Sequence, residues 1–287
     1  MSEISIVLPV YNGGDFIAQA IESILQQTFN DFELILVNDC STDNTSEIIS
    51  AYERQDKRIR IINNNENKKL PASLNIGFRK ANGTYLTWTS HDNLYKPEAL
   101  ECMYTELEEH SEYGMVYADY SIIDDQGKLI KDNVMNEPKE ICKGNVIGAC
   151  FLYRRNIAQQ VGEYSENMFL AEDYDYWLRI YQCASLKHIH QNLYLYRLHG
   201  KSLSSLKLDA VKRQMLLLWE KHFDFIIQNL QSYKDLCEFY DLLCSYSSEG
   251  EGEELKELLI EKRPVCTIHA VKKNIYAFLK EQVYIKK

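Results

Sequence analysis

Residues 5–45, SIVLPVYNGGDFIAQAIESILQQTFNDFELILVNDCSTDNT, decide the fold class. Ile4 to Val10 is almost continuously apolar, as a strand covered on both faces must be. Phe16, Ile17, Ala20, Ile21, Ile24 and Leu25 then recur at the spacing of one helix face. Phe32 to Val37 repeats the strand, and Ile48, Ile49 and Tyr52 the helix. The same alternation returns as Ile59 to Ile62 with Leu70 to Ala81, and as Tyr85 to Thr89 with Pro97 to Leu107. Strands alternating with helices predict an α/β domain with a doubly wound, mostly parallel, Rossmann-like sheet. Ligands of such sheets lie beyond the carboxyl ends of the strands. Those ends read Tyr11-Asn12-Gly13-Gly14, Asn38-Asp39-Cys40-Ser41 and Ser90-His91-Asp92-Asn93.

From Met115 the pattern changes. Val116 to Asp119, Ile122-Ile123, Gly148 to Tyr153 and Leu193 to Arg197 read as strands, with a turn at Asp125-Gln126-Gly127 and a helix over 172–183. Past Ser205 the chain reads as helical. Val211, Met215, Leu218 and Trp219 share a face, and further helices are expected near 233–247, 253–262 and 267–285, with a solvated linker at 249–254.

The chain has 287 residues, of which 45% are hydrophobic and 26% charged, enough for one large domain with an appendage. No stretch approaches the roughly 18 consecutive apolar residues of a membrane span. The opening Met-Ser-Glu runs straight into a strand without a basic segment or cleavage site, so a cytoplasmic protein is expected. A net charge of −10 argues against a nucleic-acid partner bound by phosphate neutralisation, although it leaves room for one small anion. Eight cysteines without a C-x-x-C pair predict reduced thiols rather than a zinc ribbon or disulfide framework, and Cys150 reads as filler.

The candidate residues have bland readings beside chemical ones. Tyr11 and Asn12 offer a ring and an amide on which a flat base can stack, or simply close the sheet. Around Asp39, Ser41 and Thr42 are also suitable caps for the helix that follows. Glu172 and Asp173 suit a helix N-terminus whatever else they do.

The stretch at 5–45, SLNIGFRKANGTYL, the region around Asp92, AEDYDYWLRI and YRLHGKSLS together resemble the family 2 inverting glycosyltransferases of GT-A fold, in the right order over roughly residues 1–205. The resemblance implies a transferase domain over 1–205, with a nucleotide-sugar-binding half at 1–120 and an acceptor half at 121–205, and a helical C-terminal extension at 206–287. It implies that Tyr11 and Asp39 hold base and ribose, with Pro9 shaping the turn and Asn12 nearby. The family carries an Asp-x-Asp that ligates a divalent cation, Mn²⁺ or Mg²⁺, on the donor diphosphate. Here Ser90-His91-Asp92 stands in that place, so one carboxylate of the pair is missing. Asp92 and His199 are the implied metal ligands, and His91, Asp92 and Arg197 the implied contacts to the donor. The catalytic pair is Asp173, the base that takes the acceptor proton, and Glu172, which orients the acceptor or loop.

The expected activity is therefore transfer of a sugar from a nucleotide-sugar donor, UDP-linked, to a glycan or lipid-linked acceptor in bacterial surface polysaccharide synthesis. Lys272-Lys273 and Lys286-Lys287 suggest peripheral contact with an anionic membrane at its inner face, against a packing or homodimer role for the C-terminal helices. Two rivals remain. A sugar-1-phosphate nucleotidyltransferase requires a Gly-rich basic loop after the first strand, and Tyr11 to Asp15 has no base. A non-catalytic nucleotide-sugar scaffold is kept open by Ser90.

Overall fold

The computed structural model describes residues 2–202, 207–247, 252–267, 269–270 and 273. It divides into two units, Met1–Ile141 with Asn145–Leu206, and Cys142–Gly144 with Lys207–Lys287.

The first unit opens with β1 (Ile4–Val10), α1 (Ile17–Leu25), β2 (Phe32–Asn38), α2 (Thr45–Gln55), β3 (Ile59–Asn63), α3 (Leu70–Phe78) and β4 (Tyr85–Trp88). All seven residues of β1 are buried, which is why its sequence does not alternate. Ile4, Ile6, Leu8 and Val10 face one core with Ile17, Ala20, Ile21 and Ile24 of α1. Val7 faces the other side, where α3 presses so closely that a Cβ at Gly77 would collide with Val7 and come 3.1 Å from Val37. Each of the buried valine, leucine and isoleucine side chains among these contributes roughly 1.5–3 kcal/mol.

The chain continues through β5 (Leu94–Tyr95), α4 (Ala99–Glu109), β6 (Tyr113–Ile123), β7 (Leu129–Asn133), β8 (Phe151–Arg154), α5 (Arg155–Val161), α6 (Glu172–Tyr181) and β9 (Ser185–Arg197). The sheet order is β3-β2-β1-β4-β8-β6-β9-β5, with β7 hairpinned onto β6. Parallel pairing joins β1 to β2 and β4, β2 to β3, and β6 to β9, while β8, β5 and β7 pair antiparallel. The doubly wound, mostly parallel α/β sheet is thus as the sequence predicts. The direction of order reverses at β1, between β2 and β4, and in sheets of this kind ligands bind beyond the carboxyl edge at such a switch point. Because β8 runs backwards, its starting end lies on that same edge: Tyr117 of β6 pairs with Phe151.

Several elements depart from expectation. The final strand starts at Ser185, eight residues before the expected Leu193, because its Lys/His-rich front half pairs with β6. Arg154 and Arg155 are structural: Arg154 Nε donates to Tyr113 O at 2.8 Å and Nη1 to Tyr85 Oη at 2.9 Å, and Arg155 Nε donates to Gly83 O.

The second unit contains α7 (Leu208–Lys221), α8 (Phe223–Asn229), α9 (Tyr233–Tyr246) and α10 (Glu253–Lys262). Trp219 is fully buried and meets Phe239 edge-on at 5.8 Å. Ser232 caps α9 by accepting from Asp235 N at 3.0 Å. The expected helix at 267–285, Lys272 and Lys286-Lys287 fall largely or wholly outside the described residues. The Lys273 ammonium pairs with Asp241 at 2.6 Å. No helix among the described residues is long and apolar enough to cross a membrane. All eight cysteines are free thiols, and burial pushes the Cys150 thiol well up, in keeping with a packing role.

Candidate active site

The loops after β1 and β2 are laced together. Asn12 N donates to Ser41 Oγ at 3.0 Å, Gly13 N to Thr45 Oγ1 at 2.9 Å and Gly14 N to Asp43 Oδ2 at 3.0 Å; in return Thr42 N donates to Asn12 Oδ1 at 2.8 Å. Asn12 and Cys40 adopt positive φ, 53° and 64°, so the clasp is held against local backbone preference. Ser41 and Thr42 therefore do not cap α2, as the residues alone suggested. Asp43 satisfies that helix start, accepting from Thr45 N at 3.1 Å and Thr45 Oγ1 at 2.5 Å. Burial pushes its carboxyl up, but these bonds and that from Gly14 outweigh it and hold Asp43 below its ordinary value.

Pro9 lies two residues beyond the last β1–β4 rung, Val7 with Trp88, so its missing N–H removes no ladder bond where the strands part. Tyr11 follows, 47% exposed, just past the carboxyl end of β1. Asp39 is buried, its Oδ1 accepts from Asn64 Nδ2 and Lys68 N, both at 2.8 Å, and its Oδ2 accepts from Lys69 N at 3.0 Å.

The loop after β4 meets the segment after β9. Asp92 Oδ2 lies 2.9 Å from His199 Nε2, with both side chains mostly buried. The His199 ring packs on Phe16 at 4.9 Å. His91 lies over the β1 loop: a Cβ at Gly13 would come 2.7 Å from its Cδ2, so glycine permits this approach. Burial pushes the His91 imidazole down; Asp92 opposes this and His199 adds to it, leaving a neutral ring at physiological pH.

Arg197, expected on donor phosphate, is placed otherwise. Its guanidinium donates to the carbonyls of Asp92 at 2.9 Å and Asp125 at 3.1 Å and to Gln19 Oε1 at 2.8 Å, and it lies over Phe16. It is 2% exposed and fastens the Asp92 loop from below. Lys201 instead pairs with Asp15 at the surface, at 2.6 Å.

The acidic pair forms a second cluster at the first turn of α6. Glu172 is buried and Oε2 accepts from Leu170 N at 2.6 Å, with Leu170 at φ 81°. Asp173 Oδ2 accepts from Asn145 Nδ2 at 2.9 Å and Oδ1 from Tyr174 N at 2.7 Å. Asn145 lies just before β8, whose start shares the edge with the loops after β4 and β9, so topology brings the two clusters to one rim. Burial pushes both carboxyls up, and the negative Asp173 raises Glu172 further, to about 8. With two donors on Asp173 and one on Glu172, the proton of the pair rests on Glu172 and the charge on Asp173. Asn145 and the Asp43–Thr45 clasp were not picked out by the sequence reading. Asp43-x-Thr45 carries a recognisable local signal, whereas Asn145 carries none.

As to a cation, Asp92 and His199 offer two donor atoms 2.9 Å apart. Neighbouring ligands of an octahedral ion at about 2.0–2.1 Å stand about 3 Å apart, so the pair fits two positions of a hard divalent ion whose others fall to phosphate and water oxygens.

The family model described as Glycosyl transferase family 2 matches residues 5–162. An uncharacterized glycosyltransferase of Rickettsia bellii is 30% identical over 227 residues, covering 75% of this chain and 32% of that protein. Glycosyltransferase GlyG of Streptococcus pneumoniae is 27% identical over 288 residues, covering 93% and 95%. The chain spans only about a third of the length of several curated relatives it matches, 32% to 37%. Among solved structures, S. aureus TarS 1–349 in complex with UDP-GlcNAc superposes with a TM-score of 0.61 at 17% identity, covering 85% of this chain and 80% of that one. Mannosyltransferase PcManGT of Pyrobaculum calidifontis, in complex with GDP-Man and Mn²⁺, gives 0.61 at 13% identity, covering 100% and 88%. At such identities these likenesses speak for the GT-A fold.

Proposed function

The chain belongs to glycosyl transferase family 2, and on that footing we propose that it is an inverting hexosyltransferase. It moves a sugar from a UDP-linked donor to a hydroxyl of a glycan or lipid-linked acceptor, in the cytoplasm, for bacterial surface polysaccharide or glycoconjugate synthesis. The observation that carries this reading is the Asp92–His199 pair, set 2.9 Å apart on the rim shared with the acidic pair.

Tyr11 and Asn12 present a ring and an amide to the base, and Asp39 Oδ2 keeps a lone pair for a nucleoside donor atom. Asp92 and His199 hold the cation, which when bound neutralises charge on the departing diphosphate. Arg197 locks the backbone at Asp92, so the carboxylate is presented without rearrangement. Asp173 takes the proton of the acceptor hydroxyl as its oxygen attacks the anomeric carbon and the nucleoside diphosphate leaves from the opposite face. Glu172 stays protonated beside it, so a single negative charge, strengthened as a base by burial, faces the acceptor.

The clasp weighs against a nucleotidyltransferase. A triphosphate grip needs free amides or cations after β1, but the amides of Asn12, Gly13 and Gly14 are already bonded to Ser41, Thr45 and Asp43. A scaffold role differs in having no turnover. The test is a thermal-shift series of UDP-, GDP- and dTDP-sugars with and without Mn²⁺, followed by product analysis. UDP-sugars should raise the melting temperature in a Mn²⁺-dependent way and release nucleoside diphosphate. Pyrophosphate release, or binding without donor hydrolysis or transfer, overturns the reading.

A further inference from the structure

A second constellation lies on β6 and β9, among residues given no role above. Asp119, His188 and His190 each bring a donor atom within 4.8 Å of the others. His188 and His190, two apart on β9, bring their ring centroids to 4.1 Å. Between them and just beyond, β9 carries an irregularity: Ala118 pairs with Ile189 but Asp119 with Asn192, leaving His190 and Gln191 outside the register.

His188 is 2% exposed, and its ring is fixed from two sides. It stacks on Tyr117 at 5.0 Å with planes 1° apart, and its Nε2 lies 2.7 Å from Asp119 Oδ1. With Nε2 donating to Asp119, the Nδ1 lone pair points elsewhere. Nδ1 is buried and makes no hydrogen bond; what faces it is Glu137 Oε1 at 3.5 Å, which also lies 3.3 Å from His190 Nε2. The loop bearing Glu137 is already docked, since Met135 N donates to Asp119 Oδ1 at 2.8 Å and Tyr117 Oη to Asn136 O at 2.6 Å.

We propose that His188, His190 and Glu137 form a binding site for a zinc-class divalent cation, with Asp119 as the positioning residue that sets the His188 tautomer. Two imidazoles and a carboxylate suit such an ion. Ligand atoms bound tetrahedrally at about 2.0–2.1 Å stand about 3.3–3.4 Å apart, close to the two spacings found here. Two carboxylates beside two imidazoles offer a dication charge and nitrogen ligands together, and the Asp119–His188 bond is the usual carboxylate support of a metal-bound histidine. The fourth position is left to water. Bound there, the ion ties the β7–β8 connection to the sheet, independently of the donor site and of the proposed transfer reaction.

The full chain, stripped with chelator and without nucleotide, is titrated with Zn²⁺ and, for spectroscopy, Co²⁺. One ion per chain should bind, raise the melting temperature, and give the visible absorption of tetrahedral Co²⁺ without a thiolate charge-transfer band. His190→Ala and Glu137→Gln, both at exposed positions, should each weaken binding at least tenfold, and Asp119→Asn by about 10–100-fold. Asp92→Asn should leave this binding intact. Zinc binding and stabilisation unchanged in the His190→Ala/Glu137→Gln double variant, or no metal-induced rise in melting temperature of the wild type, overturns the site.

Discussion

The two carboxylate clusters on the rim are built in opposite ways. In the clasp, Asp43 and Asp39 are surrounded by donors: Thr45, Gly14, Asn64, Lys68 and Lys69 supply their hydrogen bonds. At α6, Glu172 and Asp173 have one and two donors and are deprived of water, so burial dominates and both are pushed up. An acidic side chain thus serves as a fixed structural charge at Asp43 and as a proton acceptor at Asp173. What differs is the supply of backbone and side-chain donors, not the acid.

The sharpest way to break this contrast is Asp173→Asn. Transfer should fall by about 10²–10⁴-fold, the span of a general base, while the donor-induced thermal shift persists; near-wild-type turnover would remove Asp173 as the base. Next is Asp92→Ala, which should weaken Mn²⁺-dependent donor binding by roughly 10–100-fold, as expected when about 1.5–3 kcal/mol of charged interaction is lost. Donor titrations with and without EDTA measure it, and equal affinities in both would refute the metal role.

On the clasp side, Asp43→Ala should lower stability by about 1 kcal/mol in denaturant unfolding, since the side chain is exposed and acts much as a cap. The effect should vanish in acid, because a carboxyl held low contributes only above its ordinary value and loses that contribution as the pH falls through the folded one. Glu172→Gln tests the opposite sign. A carboxyl raised by folding is most favourable when protonated, so wild-type stability should fall as the pH rises from about 4 toward about 8. The glutamine variant should flatten that slope; an unchanged slope would mean that Glu172 is not desolvated. The transfer rate of the wild type should likewise drop at a higher pH than an ordinary aspartate would cause, since burial raises Asp173.

The first half of the fold was readable because β1, β2 and β4 are buried on both faces and announce themselves as apolar runs. Other elements lack that mark. β5 is a two-residue strand, β7 is almost wholly exposed, and α5 buries no residue. The front of β9 hides behind Lys187, His188 and His190, because a buried histidine held by aspartate looks polar in a string of letters. Arg197 misled for the same reason: a guanidinium among carbonyls is indistinguishable in sequence from one awaiting phosphate.

By itself, then, the sequence determined the alternation of buried strands and amphipathic helices, and hence the edge at which Tyr11, Asp39 and Asp92 emerge, because hydrophobic periodicity is local. Tertiary structure alone decided which polar groups are spent and which are free. That outcome depends on partners far apart in the chain, such as Asp92 with His199, Asp173 with Asn145, and His188 with Asp119. A hydrogen bond across such separations leaves no period in the sequence, yet it sets the charge and proton affinity on which the proposed chemistry rests.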